Sequence, residues 1–318
     1  MKELGVGVIG VGFWGRNHAR VYKELKSTRL IGVSDSDIVK AKTVAKLYGC
    51  EYFKKNDELF KNKEIDAVSI CTPTSTHVKP SMQAIKYGKH LLVEKPLGKN
   101  LKEAIKIVKE AEKNKVKLSV GHIERFNPAV QKLKTISQKK IIGEIILISS
   151  RRVTRWPERV GDVGVVKDSA IHDIDVMMYL LEDDVKKIYA KIGNLRHKFE
   201  DYAEALLHFN KGTVGFIDAN WLTPRKIRNL IVTGSEATAN LNYLEQEIKI
   251  ENSKGLKKIH SEWKEPLKLE LNHFSDALLN NKRFCVSGID GVKAIQVCEG
   301  ILKSGKYGKE VHIEPIDI

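Results

Sequence analysis

The chain has 318 residues, 42% hydrophobic and 30% charged, which suits one large or two medium domains and excludes a disordered or fibrous protein. Lysine plus arginine reach 55 against 40 acidic residues, a formal charge of +15. The lysines are interleaved with acids at helical spacing (Lys102, Glu103, Lys106, Lys109, Glu110), as on a solvated face, and no helix-turn-helix, zinc-finger or RNP pattern accompanies them, so no nucleic-acid partner is expected.

From Val6 as far as Val120, short apolar runs alternate with amphipathic stretches. The runs Val6–Ile9, Leu30–Val33, Ala67–Ile70, Leu91–Val93 and Leu118–Val120 suit parallel strands covered on both faces. Helical patterns lie between them, and two stop at a glycine: Val39–Tyr48 before Gly49 and His77–Tyr87 before Gly88. This grammar predicts an α/β N-terminal Rossmann domain, a doubly wound parallel sheet, over residues 1–121, with its ligand at the carboxyl ends of the strands.

Beyond Gly121 the pattern changes. A helix over Pro128–Lys140 and a strand over Ile145–Arg152 precede a turn-rich segment and a helix from about Ser169 to Leu181. Strands are then predicted at Val185–Ile192, Tyr202–Phe209, Val214–Ala219, Ile227–Val232, Thr238–Leu241 and Glu247–Ile250, separated by turn signals such as Asn210-Lys211-Gly212. An α+β C-terminal domain follows over 122–318, with a large, mostly antiparallel open sheet and helices on one face.

Gly10-Val11-Gly12-Phe13-Trp14-Gly15 directly follows the first strand and opens a helix. Gly10 permits the tight turn, Gly12 lets backbone approach a pyrophosphate, and Gly15 allows close helix–strand packing. The second strand ends at Asp35-Ser36, where a carboxylate accepts from ribose hydroxyls and repels a 2′-phosphate; no arginine follows, so NAD is preferred over NADP. Leu92-Val93-Glu94-Lys95-Pro96 places Lys95 just past a strand end. In Lys167-Asp168-Ser169-Ala170-Ile171-His172, four-residue spacing stacks Asp168 and His172 on one helical face, and a carboxylate there can fix the imidazole tautomer. The bland alternative makes Asp168 a helix cap, with Asp173 and Asp175 favouring the positive helix end. No further ligand cluster accompanies His172, so no metal is expected.

Together the glycine fingerprint, Cys71-Thr72-Pro73-Thr74 with His77, Glu94-Lys95-Pro96 and the Asp168/His172 pair resemble the Gfo/Idh/MocA oxidoreductase family, across essentially the whole chain and in order. The resemblance implies Lys95, Asp168 and His172 as catalytic residues and a cofactor cleft lined by Thr72, Thr74, His77 and Glu94. It also implies a Lys95–Pro96 bond that is often cis, and a homodimer or homotetramer formed through the C-terminal sheet. Gly121-His122-Ile123-Glu124-Arg125-Phe126-Asn127-Pro128, Pro157-Glu158-Arg159 with Asp162-Val163-Gly164-Val165, and Trp221-Leu222-Thr223-Pro224 followed by Lys226 and Arg228 are similar to a branch that oxidises nucleotide-linked sugars. That implies NAD-dependent oxidation at C3 of UDP-N-acetylglucosamine, giving a 3-keto sugar for later amination. Arg125, Asn127, Arg155 and Arg159 are then the candidate substrate residues, guanidinium forks being suited to a diphosphate. Two alternatives stay open: a dehydrogenase or reductase of a free sugar or inositol-like polyol, and a non-catalytic NAD(H) sensor, which would need none of Lys95, Asp168 and His172.

No run approaches eighteen apolar residues, so no membrane-spanning helix is expected, and the apolar start runs into Arg16, His18 and Arg20 without a small-residue cleavage site. Cys50, Cys71, Cys285 and Cys298 lie far apart with no CxxC pair, which fits a reduced, cytoplasmic protein.

Overall fold

The computed structural model describes residues 3–156, 161–260 and 262–316. It divides into two compact units, one comprising residues up to His122 together with Leu267–Val292, the other Ile123–Pro266 together with the chain from Lys293. The expected division near Gly121 lacked the return of 267–292 to the first unit. That segment is held there by side chains: Ser119 Oγ donates to Val286 O, and a Cβ on Gly288 would press on Val108 and Leu118.

In the first unit the elements run β1 (Leu4–Ile9), α1 (Phe13–Glu24), β2 (Thr28–Ser34), α2 (Ile38–Tyr48), β3 (Glu51–Phe53), α3 (Asn56–Lys61), β4 (Ala67–Ile70), α4 (Val78–Lys86), β5 (His90–Glu94), α5 (Leu101–Lys113) and β6 (Leu118–Gly121). The six strands are all parallel, in the order β3-β2-β1-β4-β5-β6. Every residue of β1 and of β4 is buried, which is why both read as short runs almost wholly apolar. Asp37 caps α2 by accepting from the N–H groups of Val39 and Lys40, and Gly49 ends it at φ 66°. In α5 the apolar face Ala104, Ile107, Val108 and Ala111 is buried; the fully buried Ile107 alone contributes about 1.5–3 kcal/mol. The short β3 and α3 escaped the sequence pattern because β3 is three mostly exposed residues and α3 six.

The second unit contains α6 (Pro128–Gln138), β7 (Ile145–Val153), a π-helical turn (Val166–Ala170), α7 (Ile171–Leu181), β8 (Val185–Gly193), β9 (Tyr202–Phe209), β10 (Val214–Asn220), β11 (Ile227–Gly234), β12 (Thr238–Asn242), β13 (Glu247–Asn252) and β14 (Gly255–His260). After α8 (Pro266–Leu279), α9 (Gly288–Tyr307) begins in the first unit and ends in the second, followed by β15 (Val311–His312). The nine strands are ordered β14-β13-β12-β11-β7-β10-β9-β8-β15, antiparallel except for β7 beside β10. Helices α6 and α7 pack on this sheet, and Gly300 and Gly305 let α9 lie against Ile188 and Ile192. Strand parity sends Ile148, Ser150 and Arg152 toward that covered face, while Leu147 and Arg151 face outward. The sheet extends one strand beyond expectation on each side: β14 is almost wholly exposed and carries no apolar alternation, and β15 is two residues long.

Candidate active site

The strand order of the first sheet reverses between β1 and β4, and the glycine loop leaves β1 at this switch point. Gly10 sits at φ 82° with Thr72 so close that a Cβ would lie 2.8 Å from its methyl. A Cβ on Gly15 would come within 1.8 Å of Gly10 O, so α1 can approach β1 only with glycine there. At Gly12 a Cβ would meet nothing within 4 Å: the loop faces open space at the start of α1, which has no side-chain cap and no acid in its first turn. Such an end presents free N–H groups to an anion. Phe13 and Trp14 stand exposed beside it, edge to face at 5.5 Å.

Asp35 does more than its sequence position suggests. Its Oδ2 accepts from the Val11 N–H at 2.7 Å and its Oδ1 from Asp37 N–H at 2.8 Å, so it fixes the glycine loop to the end of β2. Oδ2 keeps capacity for one more donor. Ser36 is exposed, its hydroxyl 3.4 Å from Asp35 Oδ1. Thr72 Oγ1 is buried with no hydrogen-bond partner among the described residues, and Thr74 is buried beside it in the chain. A loop opening outward, an acid at the second strand end and an orphaned hydroxyl together fit a dinucleotide.

His77 ties two of the motifs together. Its Nδ1 lies 2.9 Å from Pro96 O and its Nε2 2.8 Å from Thr72 O. Both partners only accept, so the imidazolium alone supplies a donor to each. The Lys95–Pro96 bond is cis. Glu94 is buried, with Oε1 2.9 Å from His18 Nε2 and Oε2 accepting from the Lys95 N–H at 3.2 Å. Burial pushes its carboxyl upward, but the hydrogen bond from His18 and the charges of His18, Lys95 and His77 outweigh it and hold the group below its ordinary range. Gly121 leaves room for this carboxylate, which a Cβ there would approach to 3.0 Å. Lys95 itself is half-buried.

In the second unit, Asp168 lies exposed in the π-helical turn and His172 half-buried in the first turn of α7. The single α-helix expected from about Ser169 is thus two geometries joined end to end, and π turns are frequent at functional sites. No side chain caps either helical segment, so Asp168 is not a cap. Asp173, in the first turn of α7, and Asp175 are engaged by arginines rather than left to the helix end alone. Both are buried: Asp173 accepts from Arg152 Nε at 2.6 Å and Nη2 at 3.2 Å, and Asp175 from Arg125 Nε at 2.9 Å and Nη2 at 2.7 Å.

This arrangement corrects two expectations. Arg125 does not offer a free fork to a diphosphate, because Asp175 occupies it and the Tyr179 ring lies 5.0 Å away. Asn127 is a buried N-cap of α6: it accepts from Ala129 N–H and donates to Tyr243 O. Arg155 is exposed, and Arg159 lies outside the described residues.

Three further residues that the sequence motifs contain but that were not among the expected site residues form one charge cluster: Arg152, Glu124 and Arg228. Arg152 Nη1 donates to Glu124 Oε1 at 3.0 Å, and Arg228 Nη1 is 3.6 Å from the same oxygen. Although burial opposes it, Asp173 and Glu124 hold Arg152 firmly charged. Burial and then Arg152 push Arg228 below its usual range, against Glu124, Asp173 and Asp168; Arg228, then burial and Arg152, do the same to Lys226. The period-two parity counted from Ile148 was the available signal for Arg152.

Among the described residues no group of three or more His, Cys, Asp or Glu is placed to hold a metal, and no helix is long and apolar enough to cross a membrane. A doubly wound sheet with this glycine loop, joined to a second unit carrying a sheet-backed histidine, defines a two-domain, dinucleotide-binding oxidoreductase. Residues 4–122 match the family model described as "Oxidoreductase family, NAD-binding Rossmann fold" and residues 130–240 the GFO/IDH/MocA C-terminal domain. The chain belongs to the Gfo/Idh/MocA family and is an oxidoreductase of the class acting on CH–OH groups.

Among its relatives is UDP-N-acetylglucosamine 3-dehydrogenase of Acidithiobacillus ferrooxidans, 32% identical over 79% of this chain and 77% of that one. The scyllo-inositol 2-dehydrogenase (NAD(+)) of Bacillus subtilis is 28% identical over 98% of this chain and 97% of its own. A solved structure of the Acidithiobacillus ferrooxidans enzyme matches with TM-score 0.90 at 27% identity, covering 96% of this chain and 99% of that one.

Proposed function

We propose that the protein oxidises the C3 hydroxyl of UDP-N-acetylglucosamine with NAD, giving the 3-keto nucleotide sugar that a later amination consumes. The likeness to the Acidithiobacillus ferrooxidans dehydrogenase, at 32% identity, carries this reading. The crowding of the cations Arg152, Lys226 and Arg228, only partly offset by Glu124, supports it, since it suits a phosphorylated substrate better than a neutral polyol.

The backbone N–H groups after Gly12 bind the pyrophosphate, Asp35 takes the adenosine ribose hydroxyls and disfavours NADP, and Thr72, Thr74, His77 and Glu94 shape the cofactor cleft. NAD, when bound, supplies the hydride acceptor. His172 takes the hydroxyl proton on an imidazole nitrogen, the Lys95 ammonium stabilises the developing oxyanion, and Asp168 sets the imidazole tautomer. The four free thiols among the described residues suit action in the reducing cytoplasm.

The chain acts as a homodimer or homotetramer paired through the outward face of its nine-stranded sheet. Ladder neighbours Tyr189, Leu206, Phe216, Ser149 and Ile231 form one row across that face, and Tyr189, Phe216 and Ile231 are exposed.

A second reading, oxidation of a free inositol-like polyol, draws on the 28% identity to the Bacillus subtilis enzyme over nearly the whole chain. Incubation with NAD and either UDP-N-acetylglucosamine or myo-inositol, followed by NADH absorbance, separates the two. Turnover of inositol alone would refute the nucleotide-sugar reading.

A further inference from the structure

Beside the π-helical turn of the second unit lies a cavity of about 360 Å³ lined by Arg155, Trp156, Leu195, Arg196, Trp221 and Leu222, with Pro224 at its edge. That volume falls in the range of small-molecule sites. We propose that this cavity holds the nucleoside diphosphate half of the substrate, with the base against Trp156 and the phosphates on Arg155 and Arg196. The inference rests on the nucleotide-sugar reading given above and assigns it a location.

Three observations carry it. First, the rings are arranged to receive a flat ligand. Trp156, Trp221 and His197 meet edge to face at 5.9–6.0 Å, with interplanar angles of 67–86°. Trp221 is only 2% exposed and backs the cluster, so the half-buried Trp156 presents the open ring surface, and a base stacked on such a face gains about 1–3 kcal/mol in nucleic-acid complexes.

Second, the rim combines exposed apolar groups with unengaged cations. Leu195 is 70% exposed and Leu222 43%. Neither Arg155 nor Arg196 forms an ion pair with a carboxylate among the described residues, in a unit where Arg125, Arg151 and Arg152 all do. Guanidinium forks that no acid fills are suited to phosphate oxygens.

Third, the cavity is built and it is joined to the reacting end. Asp201, wholly buried, accepts from the N–H groups of Leu195 at 2.5 Å, Arg196 at 2.7 Å and His197 at 3.4 Å, which fixes the loop that carries them. Asp201 O accepts from the Trp221 N–H at 3.0 Å. On the other side the Trp221 indole Nε1 donates to Ser169 Oγ at 3.3 Å. Ser169 follows Asp168 directly and precedes His172 by one turn, so a sugar attached to a diphosphate held here is presented toward His172.

UDP itself is the probe. Isothermal titration of the full-length protein with UDP should show binding, and Trp156→Ala and the Arg155→Gln/Arg196→Gln double variant should each weaken it by about tenfold or more. NAD affinity, measured in the same preparations, should not change, which also reports intact folding. Both variants should raise KM for UDP-N-acetylglucosamine with kcat nearly unchanged. If the wild type fails to bind UDP, or the variants bind it as the wild type does, the cavity is not the nucleotide subsite. If UDP binding is lost in the variants as expected while UDP-N-acetylglucosamine is not oxidised, the subsite stands and the choice of sugar falls.

Discussion

Asp173, the residue after His172, is gripped by Arg152 through two hydrogen bonds of 2.6 and 3.2 Å, from the strand beneath α7. Two residues further along the same helix, Asp175 grips Arg125 in the same way. The helix that carries the candidate base is therefore locked by buried charge rather than by apolar packing alone. Removing one member of a buried pair strands the other in a poor solvent, at a cost of about 3–5 kcal/mol. Asp173→Asn should lose stability on that scale in urea denaturation, and an Arg152→Met/Asp173→Leu/Glu124→Gln triple variant, which leaves no stranded charge, should recover much of it.

The three loop glycines make separable predictions. Gly15→Ala forces a clash with Gly10 O and should destabilise the fold by about 1–3 kcal/mol. Gly12→Ala meets nothing in the protein and should leave the melting temperature almost unchanged. It should instead raise KM for NAD, because its new methyl occupies the space the pyrophosphate needs. An unaltered KM in Gly12→Ala would remove this loop from the cofactor site.

His77 bridges the Thr72 and Pro96 carbonyls, so it positions the strand end that bears Lys95. His77→Ala should lower kcat several-fold while KM for the sugar moves little, and His77→Asn, which can donate to only one carbonyl with good geometry, should recover part of the loss. Steady-state kinetics with both variants tests this.

His172→Ala should cut kcat by about 10²–10⁴ with NAD affinity retained, the size expected for loss of a general base. Normal turnover by that variant would end its assignment.

The outward face of the large sheet carries a pH-sensitive pair. Glu204 of β9 stands directly opposite Asp218 of β10, and Asp218 pairs with Arg151 at 2.9 Å. Burial, then the charge and hydrogen bond of Asp218, push Glu204 up to about 7, with Arg151 opposing. An acid whose folded pKa is raised keeps its proton longer in the native state than in the unfolded chain. Native stability therefore declines as pH climbs from the unfolded value toward the folded one. Glu204→Gln should match the wild type near pH 5 and gain melting temperature relative to it by pH 8, as thermal scans across that interval would show.

The doubly wound sheet was legible because strands buried on both faces leave continuous apolar runs, and its glycine loop because positive φ and close packing admit almost no other residue. The strands β9 to β13 were legible through alternation and turn residues. By contrast β14 has no buried face and hence no pattern, and the return of 267–292 to the first unit depends on contacts such as Ser119 with Val286, between residues far apart in the chain.

The same division runs through the candidate site. Local order along the chain was enough to fix the glycine turn, the acid at the end of β2, and Lys95 at the end of β5, since each depends on a few neighbouring residues. Which arginines are free was settled by folding. Arg125, Arg152 and Arg155 are chemically identical in the sequence, but Asp175 and Asp173 fill the first two forks and leave the third exposed. Charge partners are chosen by three-dimensional proximity in a medium that tolerates no unpaired ion, and no local pattern encodes that choice.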